Sequence, residues 1–238
     1  MSKKAYKQEH ELRTAIIAAC KHMNAIGINQ GTSGNISARL GDRMLITPSG
    51  VPYQDMAAED LAAMPIEGDY GSWDGPLAPS TEWRFHLDIT RARPEVGAIV
   101  HAHSTFATAL AIARKEIPAC HYMIAAAGGP TIRCARYATY GTKELSENAL
   151  RALEDRNACL LANHGMIATG PNLDKAMWLA VEIETIARQY VVSLSVGGPV
   201  LLSDAEIAKV KEGFKSYGPR ARDQDEPRPT IKGKKRAR

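Results

Sequence analysis

At 238 residues the chain has room for one large domain or two small ones, and its 45% hydrophobic content is that of an ordinary globular core. No run of about 18 apolar residues occurs, which excludes a membrane-spanning helix, and the charged start Met1-Ser2-Lys3-Lys4 carries no apolar signal core, so no secretion signal is expected. The formal charge of +4 resides in the C-terminal stretch Pro219–Arg238, which holds eight Lys/Arg against three Asp/Glu, while the other 218 residues sum to −1. That stretch is almost without apolar side chains and is expected to be a disordered, solvated extension. Its Lys232-Gly233-Lys234-Lys235-Arg236 run is basic, yet it is too short and too far from the body to make this a nucleic-acid-binding protein. Cys20, Cys120, Cys134 and Cys159 form no C-x-x-C pair and read as reduced packing residues, which fits a cytoplasmic protein.

Taken in chain order, residues 5–26 predict an amphipathic helix with Leu12, Ala15, Ile16, Ala19, Met23 and Ile26 on one face, ended by Gly27. A polar loop, Gly31-Thr32-Ser33-Gly34-Asn35, follows. Residues 36–40 and 44–47 predict a hairpin around Gly41-Asp42. Residues 51–79 read as irregular, with a short helix at 58–63. Ser80 is expected to cap a helix that runs to Arg93 and stops at Pro94.

Ala98-Ile99-Val100-His101 predicts a buried strand, and 104–114 a helix. Residues 119–124 are expected to be extended, broken by Gly128-Gly129-Pro130. A helix at 142–154 precedes a strand at 158–162, and Met166-Ile167-Ala168 is expected to pair back as a strand. A long helix at 172–194 and a last helix at 204–216, opened by the capping box Ser203-Asp204-Ala205-Glu206, complete the pattern. With no internal repeat and no linker before the tail, the expectation is one mixed α/β domain over residues 1–218 and a basic tail over 219–238.

The chemistry concentrates in His101-Ala102-His103 and, far downstream, Asn163-His164-Gly165. Side chains two apart on a strand share a face. Two imidazoles left unpaired there would cost about 1–3 kcal/mol each. Binding one Zn²⁺ through neutral nitrogens at about 2.0–2.1 Å resolves this, and a third histidine leaves the open position of a catalytic site.

His164 is the preferred third ligand. His86 is the alternative, either as a ligand or as a surface partner of Glu82 four residues earlier on one helix face. Glu82 reads equally as a dipole-favoured residue of a first helical turn and as a base beside a metal. Thr32-Ser33-Gly34-Asn35, Pro48-Ser49-Gly50 and Ser80-Thr81 use residues that turns demand. They also offer hydroxyls and backbone N–H groups to an anion. Tyr122 and Tyr217, from the sequence alone, read as packing residues.

In order, Asn29-Gln30-Gly31-Thr32-Ser33-Gly34-Asn35, Leu45-Ile46-Thr47-Pro48-Ser49-Gly50, Ser80-Thr81-Glu82-Trp83-Arg84-Phe85-His86, His101-Ala102-His103, His121-Tyr122-Met123-Ile124-Ala125-Ala126-Ala127-Gly128-Gly129 and Asn163-His164-Gly165 resemble the class II aldolase and adducin family over about residues 5–218. The resemblance implies a three-layer αβα fold around a mixed, largely antiparallel sheet. It implies a homotetramer with active sites at subunit interfaces, acting on a small phosphorylated sugar. It implies Zn²⁺ on His101, His103 and His164, with Glu82 near enough to be a fourth ligand. Gly34, Asn35, Ser49, Gly50, Ser80 and Thr81 would hold the phosphate. Tyr122 would enter from a neighbouring subunit, and Tyr217 would lie near the site.

The implied reaction cleaves a deoxyketose 1-phosphate between C3 and C4, giving dihydroxyacetone phosphate and an aldehyde. L-fuculose, 5-deoxyribulose and 5-methylthioribulose 1-phosphates are the substrates implied. Glu82 would carry the proton at C3, and Tyr122 the proton of the C4 hydroxyl. A pentulose-5-phosphate 4-epimerase and a non-enzymatic adducin-like scaffold are the rivals. The scaffold would be expected to have lost metal ligands that are present here.

Overall fold

The computed structural model describes residues 3–214 of the chain. Tyr217, the final residues expected for the last helix and the basic segment 219–238 lie outside the described residues. The amphipathic N-terminal stretch forms α1 (Lys3–Ala25), which buries Ile16, Ile17, Cys20 and Met23 against the sheet. The hairpin is β1 (Asn35–Leu40) and β2 (Arg43–Ile46), antiparallel in the register Leu40↔Arg43. A single 3-10 turn, Ala58–Asp60, stands where a short helix is expected. It runs into β3 (Ala62–Pro65), which pairs with β2. This strand lies in a stretch read as irregular, because it has four residues and ends on a proline that only an edge strand tolerates.

Next come α2 (Trp83–Ala92), β4 (Ala98–Ala102) and α3 (Thr105–Ile112). The helix expected from Ser80 starts three residues later. The Ser80 N–H donates to the Thr47 carbonyl at 2.9 Å and Pro79 bridges Pro48, so 79–81 stay in a turn. Ser80 Oγ accepts from the Glu82 N–H at 3.3 Å instead of capping a helix.

Residues 119–124 are expected to be extended, but from Tyr122 to Ala127 the chain forms 3-10 turns. His121 caps them, its Nδ1 accepting from the Met123 N–H at 3.2 Å. β5 (Arg133–Ala135), α4 (Lys143–Ala152), β6 (Ala158–Leu161), β7 (Gly165–Gly170), α5 (Leu173–Leu194) and α6 (Asp204–Phe214) follow. Ser203 caps α6, as expected, through Glu206 N–H at 3.2 Å.

The seven strands form one sheet in the order β3-β2-β1-β4-β7-β6-β5. Every pairing is antiparallel except β5 with β6. Alternation along β4 decides the layers. Ala98, Val100 and Ala102 face the core shared with α1, α3, α5 and α6. Ile99 faces the opposite core, where α2 supplies Phe85 and Ile89 and α4 supplies Leu145 and Ala149. Helices therefore cover both faces, which is the three-layer αβα arrangement. Truncating fully buried Phe85 to alanine would cost about 3–5 kcal/mol. For function, the important consequence is the centre of the sheet. β1, β4 and β7 lie side by side there, and their ends deliver Asn35, His101 and the 163–165 turn to one place.

Candidate active site

His101 is the last but one residue of β4, and His103 follows the strand's end on the same side. His164 occupies the turn between β6 and β7. One ligand atom from each of the three lies within 4.8 Å of the others. The three rings stand edge to face, with centroids 4.8 to 5.0 Å apart. Gly165 makes this approach possible, since a Cβ there would meet the Ala102 carbonyl at 2.6 Å and the His103 ring at 2.7 Å.

His101 Nδ1 donates to the Met166 carbonyl at 2.9 Å, which leaves Nε2 as a bare lone pair. That lone pair faces His103 Nε2 at 3.0 Å and Glu82 Oε2 at 3.1 Å. Glu82 Oε1 lies 3.1 Å from His164 Nε2 without hydrogen-bond geometry, and it is a buried oxygen with no hydrogen-bond partner. Lone pairs that converge in a buried place repel one another unless a cation is shared. The donor set of three imidazoles and a carboxylate fits a divalent metal ion.

Electrostatics point the same way. Burial pushes the Glu82 carboxyl up, but in their protonated forms His101 and His164 outweigh burial and hold it well below the usual carboxylate range, a role that a shared cation takes over when the rings are neutral ligands. Glu82 is an anion near neutral pH. Burial pushes His103 down to about 4, helped by His101 and His164, so its ring is neutral, as a ligand must be.

His86 is not in the cluster. It is fully buried, and its Nε2 donates to Asn35 Oδ1 at 2.5 Å while Nδ1 accepts from Ser37 Oγ at 2.7 Å. With its oxygen so engaged, Asn35 presents its amide N–H to Glu82 Oε2 at 2.9 Å. Ser37, His86 and Asn35 thus form a relay behind the carboxylate, and burial drives the His86 pKa down to about 3.

The three polar turns meet at the mouth of a cavity of about 430 Å³. Gly34, Asn35, Ser49, Gly50, Ser80 and Thr81 all line it, together with Glu82, His103 and His164. Ser80 is buried, whereas Ser49, Gly50 and Thr81 are exposed. The side-chain amide of Asn35 is already engaged by Glu82 and His86. Tyr122 does not line this cavity; it is half exposed and packs against His121 with the rings tilted and their centroids 4.7 Å apart.

The sequence reading missed Tyr137 and Tyr140, which also line the cavity, and Asn163, which lines it from a left-handed backbone conformation with φ 55°. Two tyrosines bracketing a turn, Tyr137-Ala138-Thr139-Tyr140-Gly141, were the available signal. A larger hollow of about 940 Å³ lies between α5 and the start of α3, but it gathers no comparable donors. Its Glu184 caps α3 through Phe106 and Ala107 N–H groups, and its Arg188 lies over the Phe106 ring.

Comparison with known proteins agrees with this geometry. The family described as "Class II Aldolase and Adducin N-terminal domain" matches residues 14–191. A 5-methylthioribulose-1-phosphate/5-deoxyribulose-1-phosphate aldolase of Rhodospirillum rubrum is 50% identical over 210 residues, which cover 88% of this chain and 94% of that protein. The L-fuculose phosphate aldolase of Escherichia coli is 49% identical over 212 residues, covering 89% and 97%. A solved L-fuculose 1-phosphate aldolase superimposes with a TM-score of 0.83 at 41% identity, over 86% of this chain and 96% of that one. The chain belongs to the class II aldolase and adducin family. Within it, the chain is a class II aldolase, a lyase of carbohydrate metabolism, and enzymes of this class use a divalent metal.

Proposed function

We propose that this enzyme reversibly cleaves a deoxyketose 1-phosphate into dihydroxyacetone phosphate and a small aldehyde, with Zn²⁺ as its metal. L-fuculose 1-phosphate and the 5-deoxyribulose and 5-methylthioribulose 1-phosphates are the candidate substrates, being those of relatives at 49% and 50% identity. The observation that carries the reading is the convergence of three imidazoles beside Glu82, one of whose buried carboxylate oxygens has no hydrogen-bond partner, next to three anion-ready turns. His101, His103 and His164 would hold the metal, with Glu82 as a fourth ligand before substrate binds. When bound, the metal supplies Lewis-acid stabilisation of negative charge on the substrate's oxygens.

The rest is done by the chain itself. Gly34, Asn35, Ser49, Gly50, Ser80 and Thr81 grip the phosphate, which fixes the sugar's near end and makes the reaction effectively unimolecular. Glu82 gives a proton to C3 in the cleavage direction and takes it in condensation. Its anionic character in the free enzyme suits the basic half of that role, and Asn35, held by His86, aims it.

Tyr122 of a neighbouring subunit accepts the proton of the C4 hydroxyl, and Tyr217 lies near the site. This needs the homotetramer with active sites between subunits. Support comes from the position of Tyr122, half exposed and away from its own cavity. Residues 1–218 are read as the one catalytic domain. Among the described residues no helix is long and apolar enough to cross a membrane, and we read the enzyme as cytoplasmic. The pentulose-5-phosphate epimerase reading gains no acid on the far face from this structure.

The test is release of dihydroxyacetone phosphate from a panel of ketose 1-phosphates, with and without chelator. Chelator-sensitive release establishes the reaction, and the best substrate identifies the aldehyde. A metallated enzyme that releases nothing from any of them overturns the proposal.

A further inference from the structure

Asn29 is almost wholly buried, and none of the roles above uses it. Its side chain nevertheless touches both the 30–34 loop on one side of the cavity and the main chain of His103. Asn29 Oδ1 accepts the His103 N–H at 3.4 Å and the Ser33 hydroxyl at 3.3 Å. His103 has left β4, so its main-chain N–H needs a partner outside the ladder, and Asn29 is that partner. Asn29 Nδ2 donates to Asn24 Oδ1 at 3.1 Å, and to the Gln30 carbonyl and the Tyr53 hydroxyl at 3.5 Å each.

Tyr53, buried too, passes its own hydroxyl proton to the Gly34 carbonyl. Asn24, at the end of α1, holds the Gly31 carbonyl at 2.9 Å. Three carbonyls of the 30–34 loop are therefore held by side chains that do not line the cavity. Gly34 is wedged between this hub and the metal strand: a Cβ there would meet Asn29 Oδ1 at 2.7 Å and the His101 carbonyl at 2.8 Å.

We propose that Asn29 and Tyr53 are positioning residues that set the distance between the substrate's phosphate and the histidine cluster. They do so by tying the 30–34 loop and the His103 main chain to one buried amide and one buried phenol. The proposal rests on the reading that this loop holds phosphate. Its logic is geometric: a phosphate grip and a metal that are each intact but misplaced by an ångström lose catalysis. Polar groups as deeply buried as these allow few alternative arrangements.

The test measures inorganic phosphate binding by calorimetry, together with the metal content and melting temperature of the same samples. Tyr53→Phe keeps the ring in the core and removes the bond to Gly34. It is expected to weaken phosphate about three- to tenfold and to raise KM for a cleaved ketose 1-phosphate more than it lowers kcat, with metal retained. Asn29→Ala is expected to weaken both phosphate and metal, since it also releases His103. If Asn29→Ala does not fold, Tyr53→Phe decides alone.

A lowered melting temperature with unchanged phosphate binding in folded Tyr53→Phe would make the hub merely structural and overturn the proposal. A wild-type protein insensitive to phosphate, with Ser80→Ala equally without effect, would sink the phosphate reading itself and this inference with it.

Discussion

The floor and the rim of the cavity are built differently. The floor is Glu82 and Asn35, with His101 and His86 behind them, all buried and all carried by strand ends or by α2 and the turn before it. Each polar group there has a partner or faces another lone pair. The rim is Ser49, Gly50, Thr81, Tyr137 and Tyr140, all exposed and all on loops. Groups that must hold charge and protons at fixed positions sit on rigid elements. Groups that meet a variable substrate sit where side chains can change without disturbing the core. On the proposed reading, gripping the substrate is then a matter of the rim, and the reaction itself a matter of the floor.

Replacing a ligand breaks this comparison most severely. His101→Ala or His103→Ala is expected to bring metal content close to zero and turnover to background, as read by elemental analysis beside the aldolase assay. A fully metallated His101→Ala would remove it from the ligand set. Glu82→Gln comes next. Metal should stay while kcat falls by about 10²- to 10⁴-fold, and wild-type rates would take Glu82 out of the proton path.

On the rim the losses are smaller and of another kind. Ser49→Ala and Thr81→Ala should each raise KM about tenfold, the scale of one hydrogen bond to a charged group, with kcat nearly kept. A fall in kcat at unchanged KM would place these hydroxyls at the reacting carbons instead.

The smallest effect at neutral pH, and a separate one, concerns the relay behind the floor. Folding lowers the His86 pKa to about 3, so below about pH 6.5 the unfolded chain takes up a proton that the folded one refuses. Stability attributable to this group is full above pH 6.5 and is lost as pH falls towards 3, by roughly a few kcal/mol in total. Urea midpoints between pH 7 and 4 should show this slope, and His86→Gln should flatten it. An unchanged slope would mean that His86 does not titrate with unfolding.

Legibility followed the same divide. The spacing of His101 and His103 was readable because strand period puts alternate residues on one face. The long helices α1 and α5 were readable because their apolar periodicity is sustained. β3 and β5, of four and three residues, are too short to show a period. The Ala-rich 122–127 stretch has no period to show, and it took 3-10 form under α5 and α6.

The Asn35–His86 pair was invisible because it depends on β1 lying beneath α2, a fact of topology rather than of spacing. Tyr137 and Tyr140 were missed because a loop side chain acquires a role only from what stands opposite. The family resemblance pointed to the proposed ligands and phosphate turns, and the structure brings those residues together around one cavity. The atomic contacts then showed why Glu82 needs more than the histidines to aim it.

The central position of β4 also dictates when the metal site can exist. His103 and His164 are about 60 residues apart in the chain. They meet only after β7 has docked on β4 in the register His101↔Ile167. A nascent chain that has not yet delivered β7 offers a histidine pair and no enclosure. On the proposed ligand set, ion capture is therefore a late event in maturation. Because the ion binds the assembled state far better than the open chain, metal supply acts as a thermodynamic latch on that final docking.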